Sequence, residues 1–236
     1  VEVIGDISDS LLQILHRVER KTQSRYPFKA VRDEMRADYE QYRNVMAFPI
    51  KPQKLLYDLR QVMGPDDIVL SDVGAHKMWI ARNYHCERPN TCLISNGFAA
   101  MGIAIPGAIA AKLVNPQRKV VAVTGDGGFM MNCQELETAL RLGTPFVTII
   151  FNDGGYGLIE WKQRNYYSES AFIKFNNPDF VALAKSFGLE GYRVTTTEDF
   201  IPTLKTALEA DVPAIIDCPI DYGENLLFSE KSRDLA

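Results

Sequence analysis

The sequence is short of the features that mark several large classes of protein. Its four cysteines, Cys86, Cys92, Cys133 and Cys218, make no C-x-x-C pair and no compact framework. A disulfide scaffold is therefore excluded, and a reduced, cytoplasmic compartment is expected. His85, Cys86 and Cys92 are too irregularly spaced for a zinc finger, and no second ligand pair follows them. No apolar run reaches the roughly eighteen residues of a membrane span. The N-terminal stretch VEVIGDISDS has no basic region ahead of an apolar core, so neither a signal nor a membrane partner is expected. The net charge of -4 comes without a clustered basic patch, which argues against nucleic acid. GDGGFM carries Met130 where a dinucleotide fingerprint needs its third glycine, and no P-loop pattern or internal repeat occurs.

What is present is an ordinary globular balance, 46% hydrophobic and 24% charged over 236 residues, enough for a substantial core. VEVIGDISDSLLQILHRV predicts a short strand, a turn and an amphipathic helix with Leu11, Leu12, Ile14, Leu15 and Val18 on its apolar side. The next stretch, to about Asn44, is rich in charge and tyrosine and reads as a partly helical linker. From Phe48 the pattern changes. DIVLSD, TCLI, KVVAVTGD, FVTIIFND, YRVT and AIIDCP are strand candidates, separated by helix-like segments such as AAMGIAIPGAIAAKLV, NCQELETALRLG, PDFVALAKSFG and DFIPTLKTALEA. Several of these strands are apolar on both alternations, as when helices cover both faces. The pattern predicts an α/β fold, a doubly wound and mostly parallel sheet, whose ligands bind beyond the carboxyl ends of the strands.

Two acidic residues fall at such ends. Asp126 follows KVVAVTG and is itself followed by Gly127 and Gly128; Asp153 follows FVTIIFN and is followed by Gly154 and Gly155. Bare amides in such a turn attract an anion, and a carboxylate beside them suits a phosphate only with a cation between the two. The interval of 27 residues (153 minus 126) allows one helical crossover, and directly paired strand ends lie about 5 Å apart. Two carboxylates, a backbone carbonyl and phosphate oxygens suit Mg²⁺, while helix capping and turn formation are the plainer uses of the same residues.

Gly125-Asp126-Gly127 followed by Asn152-Asp153 resembles the thiamin-diphosphate signature. SDVGAHKMWIARNY, LISNGFAAMGIAIPGAIAAKL and NDGGYGLIEWKQ resemble the C-terminal, diphosphate-binding domain of acetolactate synthases. The resemblance divides the chain into residues 1–20 as the tail of a preceding central domain, 21–47 as a linker, 48–225 as the cofactor-binding domain and 226–236 as a C-terminal tail. It implies that Asp126, Asp153 and the Gly155 carbonyl hold Mg²⁺, with Asp153 standing where most relatives have asparagine. It further implies that Gly125, Gly127, Gly128, Ala75, His76 and Tyr156 contact thiamin diphosphate. Met101 would wedge between the cofactor's rings, and the Ala99 carbonyl would receive its amino group. Leu158, Trp161 and Lys162 would line the pocket for a small 2-oxo acid.

The implied activity is decarboxylation of pyruvate and its carboligation to a second pyruvate, giving 2-acetolactate. The activating glutamate is expected in an N-terminal pyrimidine-binding domain of the same or a neighbouring subunit, in a homodimer or homotetramer. No catalytic side chain is then expected in this chain, which alone would be inactive. Benzaldehyde-lyase-like or indolepyruvate-type enzymes and a non-catalytic nucleotide-binding module are the alternatives, and nothing in these residues bears on FAD.

Overall fold

A computed structural model describes residues 2–19 and 28–225. It divides into two units, residues 1–37 and 38–236. The first contains α1 (Ile7–Arg17), which Asp6 caps by accepting from the Asp9 amide at 3.1 Å. Leu11, Leu12, Ile14, Leu15 and Val18 are exposed, and no residue of α1 is buried. The strand expected ahead of this helix does not form: residues 2–4 are irregular and exposed. A strand with no partner would leave its amides and carbonyls unpaired. Helix α2 (Phe28–Glu40) runs across the division between the units.

The second unit is built from α3 (Pro52–Val62), β1 (Ile68–Ser71), α4 (Ala75–Asn83), β2 (Cys92–Ile94), α5 (Ala104–Val114) and β3 (Val120–Gly125). There follow α6 (Asp126–Asn132), α7 (Glu135–Arg141), β4 (Val147–Asn152), α8 (Gly157–Tyr167), α9 (Phe180–Ser186), β5 (Glu190–Arg193), α10 (Phe200–Leu208) and β6 (Ala214–Pro219). All six strands are parallel, in the order β2-β1-β3-β4-β6-β5.

The period of two decides which layer each strand residue joins. Val69, Val121, Val123, Ile149, Phe151 and Ile216 pack with Leu55, Leu59, Ile80 and Leu204 of α3, α4 and α10. Their neighbours Ile68, Leu70, Val120, Ala122, Ile150 and Ile215 face Ala108, Phe129, Leu136 and Phe180 of α5, α6, α7 and α9. Helices therefore cover both faces, which is why the strands carry no polar alternation.

Two elements differ from the pattern read in the sequence. The α5 helix begins at Ala104, five residues into its apolar run, because Ala99 at φ 54° and Gly102 at φ 88° take left-handed backbone that cannot continue a helix. The fifth strand lies over Glu190–Arg193 rather than YRVT, on the edge of the sheet, where only one side has a partner and the apolar signal is weakest.

From β1 the chain passes through α4 to β2 on one side, then returns through α5 to β3 on the other. That reversal opens a crevice at the carboxyl ends of β1 and β3, the usual ligand site of such sheets. Strands β3 and β4 pair directly, with Gly125 opposite Phe151, so Asp126 and Asp153 emerge side by side.

Candidate functional site

A cleft of about 480 Å³ opens over these strand ends. It brings together eleven of the residues singled out from sequence: Ala75, His76, Met101, Gly125, Asp126, Gly127, Gly128, Asp153, Gly155, Tyr156 and Leu158. Ala99, at φ 54° in the turn ahead of Met101, does not line it. Trp161 faces an adjoining cleft of about 1000 Å³, which shares Asp153, Gly157 and Tyr222 with the first. Lys162, one step further round α8, lines neither cleft.

Asp126 is fully buried and starts α6. Its Oδ1 accepts from the Gly127 amide at 2.7 Å, and its Oδ2 accepts from the Gly154 amide and Asn177 Nδ2, both at 2.8 Å. Gly154 can offer that amide because it sits at φ 64°, where other side chains are strained. Three donors leave part of the carboxylate's acceptor capacity free.

Asp153 faces both clefts. Burial, and then the neighbouring charge of Asp126, push its pKa up to about 7. Asn152 turns the other way, donating to Asp217 Oδ1 at 2.8 Å and accepting from Asn177 at 2.9 Å. Of this adjacent pair it is therefore Asp153 that is presented to the cleft.

His76 lies in the first turn of α4 and is buried. Burial lowers its pKa to about 4, against the pull of Asp72, whose backbone the ring hydrogen-bonds. Its Nε2 is left without a protein partner. A Cβ on Gly74 would stand 2.7 Å from the ring, so this packing needs glycine there. A Cβ on Gly127 would meet the Tyr156 ring at 2.8 Å. The backbone is thus bare along this wall of the cleft.

Three residues escaped the sequence reading. Asp72, at the end of β1, accepts from the amides of Val73, Gly102 and Ala104 at 2.6, 2.8 and 3.2 Å, and so holds the turn that carries Met101. Its position at a strand end ahead of Val73-Gly74 was the available signal, the same one that pointed to Asp126. Tyr222 lines both clefts, its hydroxyl pKa raised by burial and then by Asp153 and Asp126. Asn177 carried no local signal, since its partner Asp126 is 51 residues away.

The family model for the thiamine pyrophosphate enzyme, C-terminal TPP binding domain, matches residues 72–218. The chain belongs to this family. As a thiamine pyrophosphate (thiamin diphosphate) enzyme domain, it is 35% identical over 235 residues to an acetolactate synthase of Bacillus subtilis (strain 168), covering 98% of this chain and 41% of the relative. The catabolic acetolactate synthase of Raoultella terrigena is 34% identical, over 96% of the chain and 41% of the relative. The isozyme 2 large subunit of acetolactate synthase from Escherichia coli (strain K12) is 34% identical, over 83% and 35%. The chain thus spans about two fifths of the length of the curated relatives it matches.

The donor set fits the family's cofactor and its divalent cation. No cation pairs with either Asp126 or Asp153 among the described residues. Lys174 Nζ goes instead to the Asp153 carbonyl oxygen and to Glu160. Two neighbouring carboxylates, Asp126 buried and Asp153 half-buried, neither in an ion pair although Lys174 acts on the Asp153 charge, suit a hard dication. No group of three or more histidine, cysteine, aspartate or glutamate side chains gathers into a metal centre among the described residues. The remaining ligands must be oxygens of the backbone, water or the cofactor itself, and no backbone amide among the described residues donates to the Gly155 carbonyl.

Proposed function

We propose that this chain is the diphosphate- and magnesium-holding part of an acetolactate-forming carboligase, acting on pyruvate and joining it to a second pyruvate. The observation that carries the reading is the pair Asp126 and Asp153, neither held in an ion pair among the described residues, set at the ends of two directly paired parallel strands and facing a cleft walled by bare glycine backbone.

In this reading Asp126, Asp153 and the Gly155 carbonyl hold Mg²⁺. Gly127 and Gly128 offer amides to the diphosphate, and Ala75, His76, Gly125 and Tyr156 close the cleft around it. Met101 lines the same cleft and would prop the cofactor in a bent shape. Ala99, which does not line the cleft, would offer its carbonyl to the cofactor's amino group. Thiamin diphosphate supplies the electron sink for decarboxylating a 2-oxo acid. Leu158 and Trp161 offer apolar surface for that acid on either side of Asp153, whereas Lys162 is further from it.

Phe98, Ile103, Met130 and Met131 are exposed on the segments leading into and out of the cleft. Such surface suits cover by a pyrimidine-binding domain, from the same or a neighbouring subunit of a homo-oligomer. That domain would bring the glutamate that activates the cofactor.

The test has two arms. With Mg²⁺, thiamin diphosphate and pyruvate, the chain by itself should form no acetolactate, and measurable product would contradict the two-part site. In calorimetric competition it should prefer thiamin diphosphate to ADP; the reverse order would favour a nucleotide-binding module.

A further inference from the structure

Beneath the cleft, two side-chain amides stand end to end between two buried carboxylates. At one end is Asp217 of β6, whose Oδ2 accepts from Arg193 Nε at 2.9 Å and whose Oδ1 accepts from Asn152 Nδ2 at 2.8 Å. Asn152 Oδ1 in turn accepts from Asn177 Nδ2 at 2.9 Å. The same nitrogen of Asn177 reaches Asp126 Oδ2 at 2.8 Å. A carboxylate can only accept, so the amide nitrogens must face Asp217 at one end and Asp126 at the other. Both amide orientations are therefore dictated by chemistry, and Asn177 spends its two protons on two fixed acceptors.

The two carboxylates are treated differently. Asp217 is paired with a guanidinium, whereas no cation pairs with Asp126 among the described residues. What Asp126 receives is three neutral donors from three separate segments: the Gly127 amide in α6, the Gly154 amide after β4, and Asn177 ahead of α9. Neutral donors fix the rotation of a carboxylate without cancelling its charge, while a lysine or arginine in the place of Asn177 would compete with an incoming cation.

We infer that Asn177 is a positioning residue for the divalent cation: anchored through Asn152 to Asp217, which Arg193 holds, it keeps Asp126 in the orientation in which the carboxylate meets the metal. This rests on the reading that Asp126 binds Mg²⁺ for a diphosphate. Asn177 itself touches neither metal nor substrate. Its contribution belongs to metal affinity, where a lost outer hydrogen bond commonly costs about 10–100-fold.

The experiment titrates Mg²⁺ into the chain with thiamin diphosphate in fixed excess, for wild type, Asn177→Ala and Asn177→Leu, with the metal-free melting temperature of each recorded alongside. Leucine keeps most of the side-chain volume and supplies no donor, so it separates hydrogen bonding from packing. Both variants should weaken Mg²⁺ by about 10-fold or more, with leucine no better than alanine. Wild-type affinity in Asn177→Leu would show that only volume matters and would overturn the inference, as would lowered melting temperatures with unchanged Mg²⁺ affinity in both variants. Absence of Mg²⁺-dependent binding in wild type would remove the underlying reading and this inference with it.

Discussion

Asp72 and Asp126 end neighbouring strands of one sheet, are almost equally buried at 1% and 0% exposure, and do different work. Asp72 is surrounded by amides: those of Val73, Gly102 and Ala104 close on its two oxygens, while the nearby Thr124 hydroxyl lies closer to the Gly125 carbonyl oxygen. Asp72 lines neither cleft, and the gain is a fixed turn from Gly102 into α5. Asp126 takes three donors, lines the cleft, and sits beside a second carboxylate that is held near a pKa of about 7. The difference lies in what surrounds each aspartate. Asp72 is closed in by amides away from both clefts, whereas Asp126 lines a cleft beside a like charge.

The comparison can be broken by exchanging stability for binding. Asp72→Ala leaves the buried amides of Gly102 and Ala104 without acceptors. At about 1–3 kcal/mol for each orphaned group, the chain should lose about 3 kcal/mol, a fall of roughly 10 °C in Tm by calorimetry. Asp126→Asn keeps one accepting oxygen and should cost only about 1 kcal/mol of stability. It should nonetheless weaken Mg²⁺ by about 100-fold, equivalent to about 2.7 kcal/mol, in a calorimetric titration with thiamin diphosphate present. If Asp72→Ala lost metal and kept its Tm, the assignment of roles would be reversed.

A smaller effect tests His76, which belongs to the Asp72 side through its backbone hydrogen bond. Its folded pKa of about 4 lies below the ordinary value of 6.5. Above pH 6.5 the ring is neutral whether the chain is folded or not, so no stability is lost. As pH falls toward 4 the unfolded chain takes up a proton that the folded one refuses, and stability declines. The metal-free wild type should therefore lose on the order of 1 kcal/mol relative to His76→Gln between pH 7 and pH 5. Urea unfolding at the two pH values measures this, and parallel behaviour of the two proteins would contradict it.

The sheet was legible because each central strand is apolar on both faces. Val120 to Val123 and Val147 to Phe151 leave no doubt of their layers once helices are placed on both sides. The cleft was legible where an aspartate and glycines follow such a strand, as at Asp126-Gly127 and Asp153-Gly154. Legibility failed where conformation is set from a distance. AAMGIAIPGAIAAKLV looks helical throughout, but Asp72 draws the Gly102 and Ala104 amides into its own carboxylate, and the helix starts late. Asn177 lies in FNNPDF, a stretch that reads as a turn before the Asp179-capped α9. Its bonds to Asp126 and Asn152 cross 51 and 25 residues and leave no local pattern. Ala99 and Lys162 were placed by resemblance alone, and neither lines the clefts.

The central claim is that Asp126 and Asp153 hold a cation for a diphosphate. Calorimetric titration of thiamin diphosphate into the chain, with and without Mg²⁺ and again with Asp126→Asn, tests it most directly. The account predicts binding that requires Mg²⁺ and weakens by about 100-fold in the variant. Binding indifferent to both would return these aspartates to the role of turn-formers and contradict it.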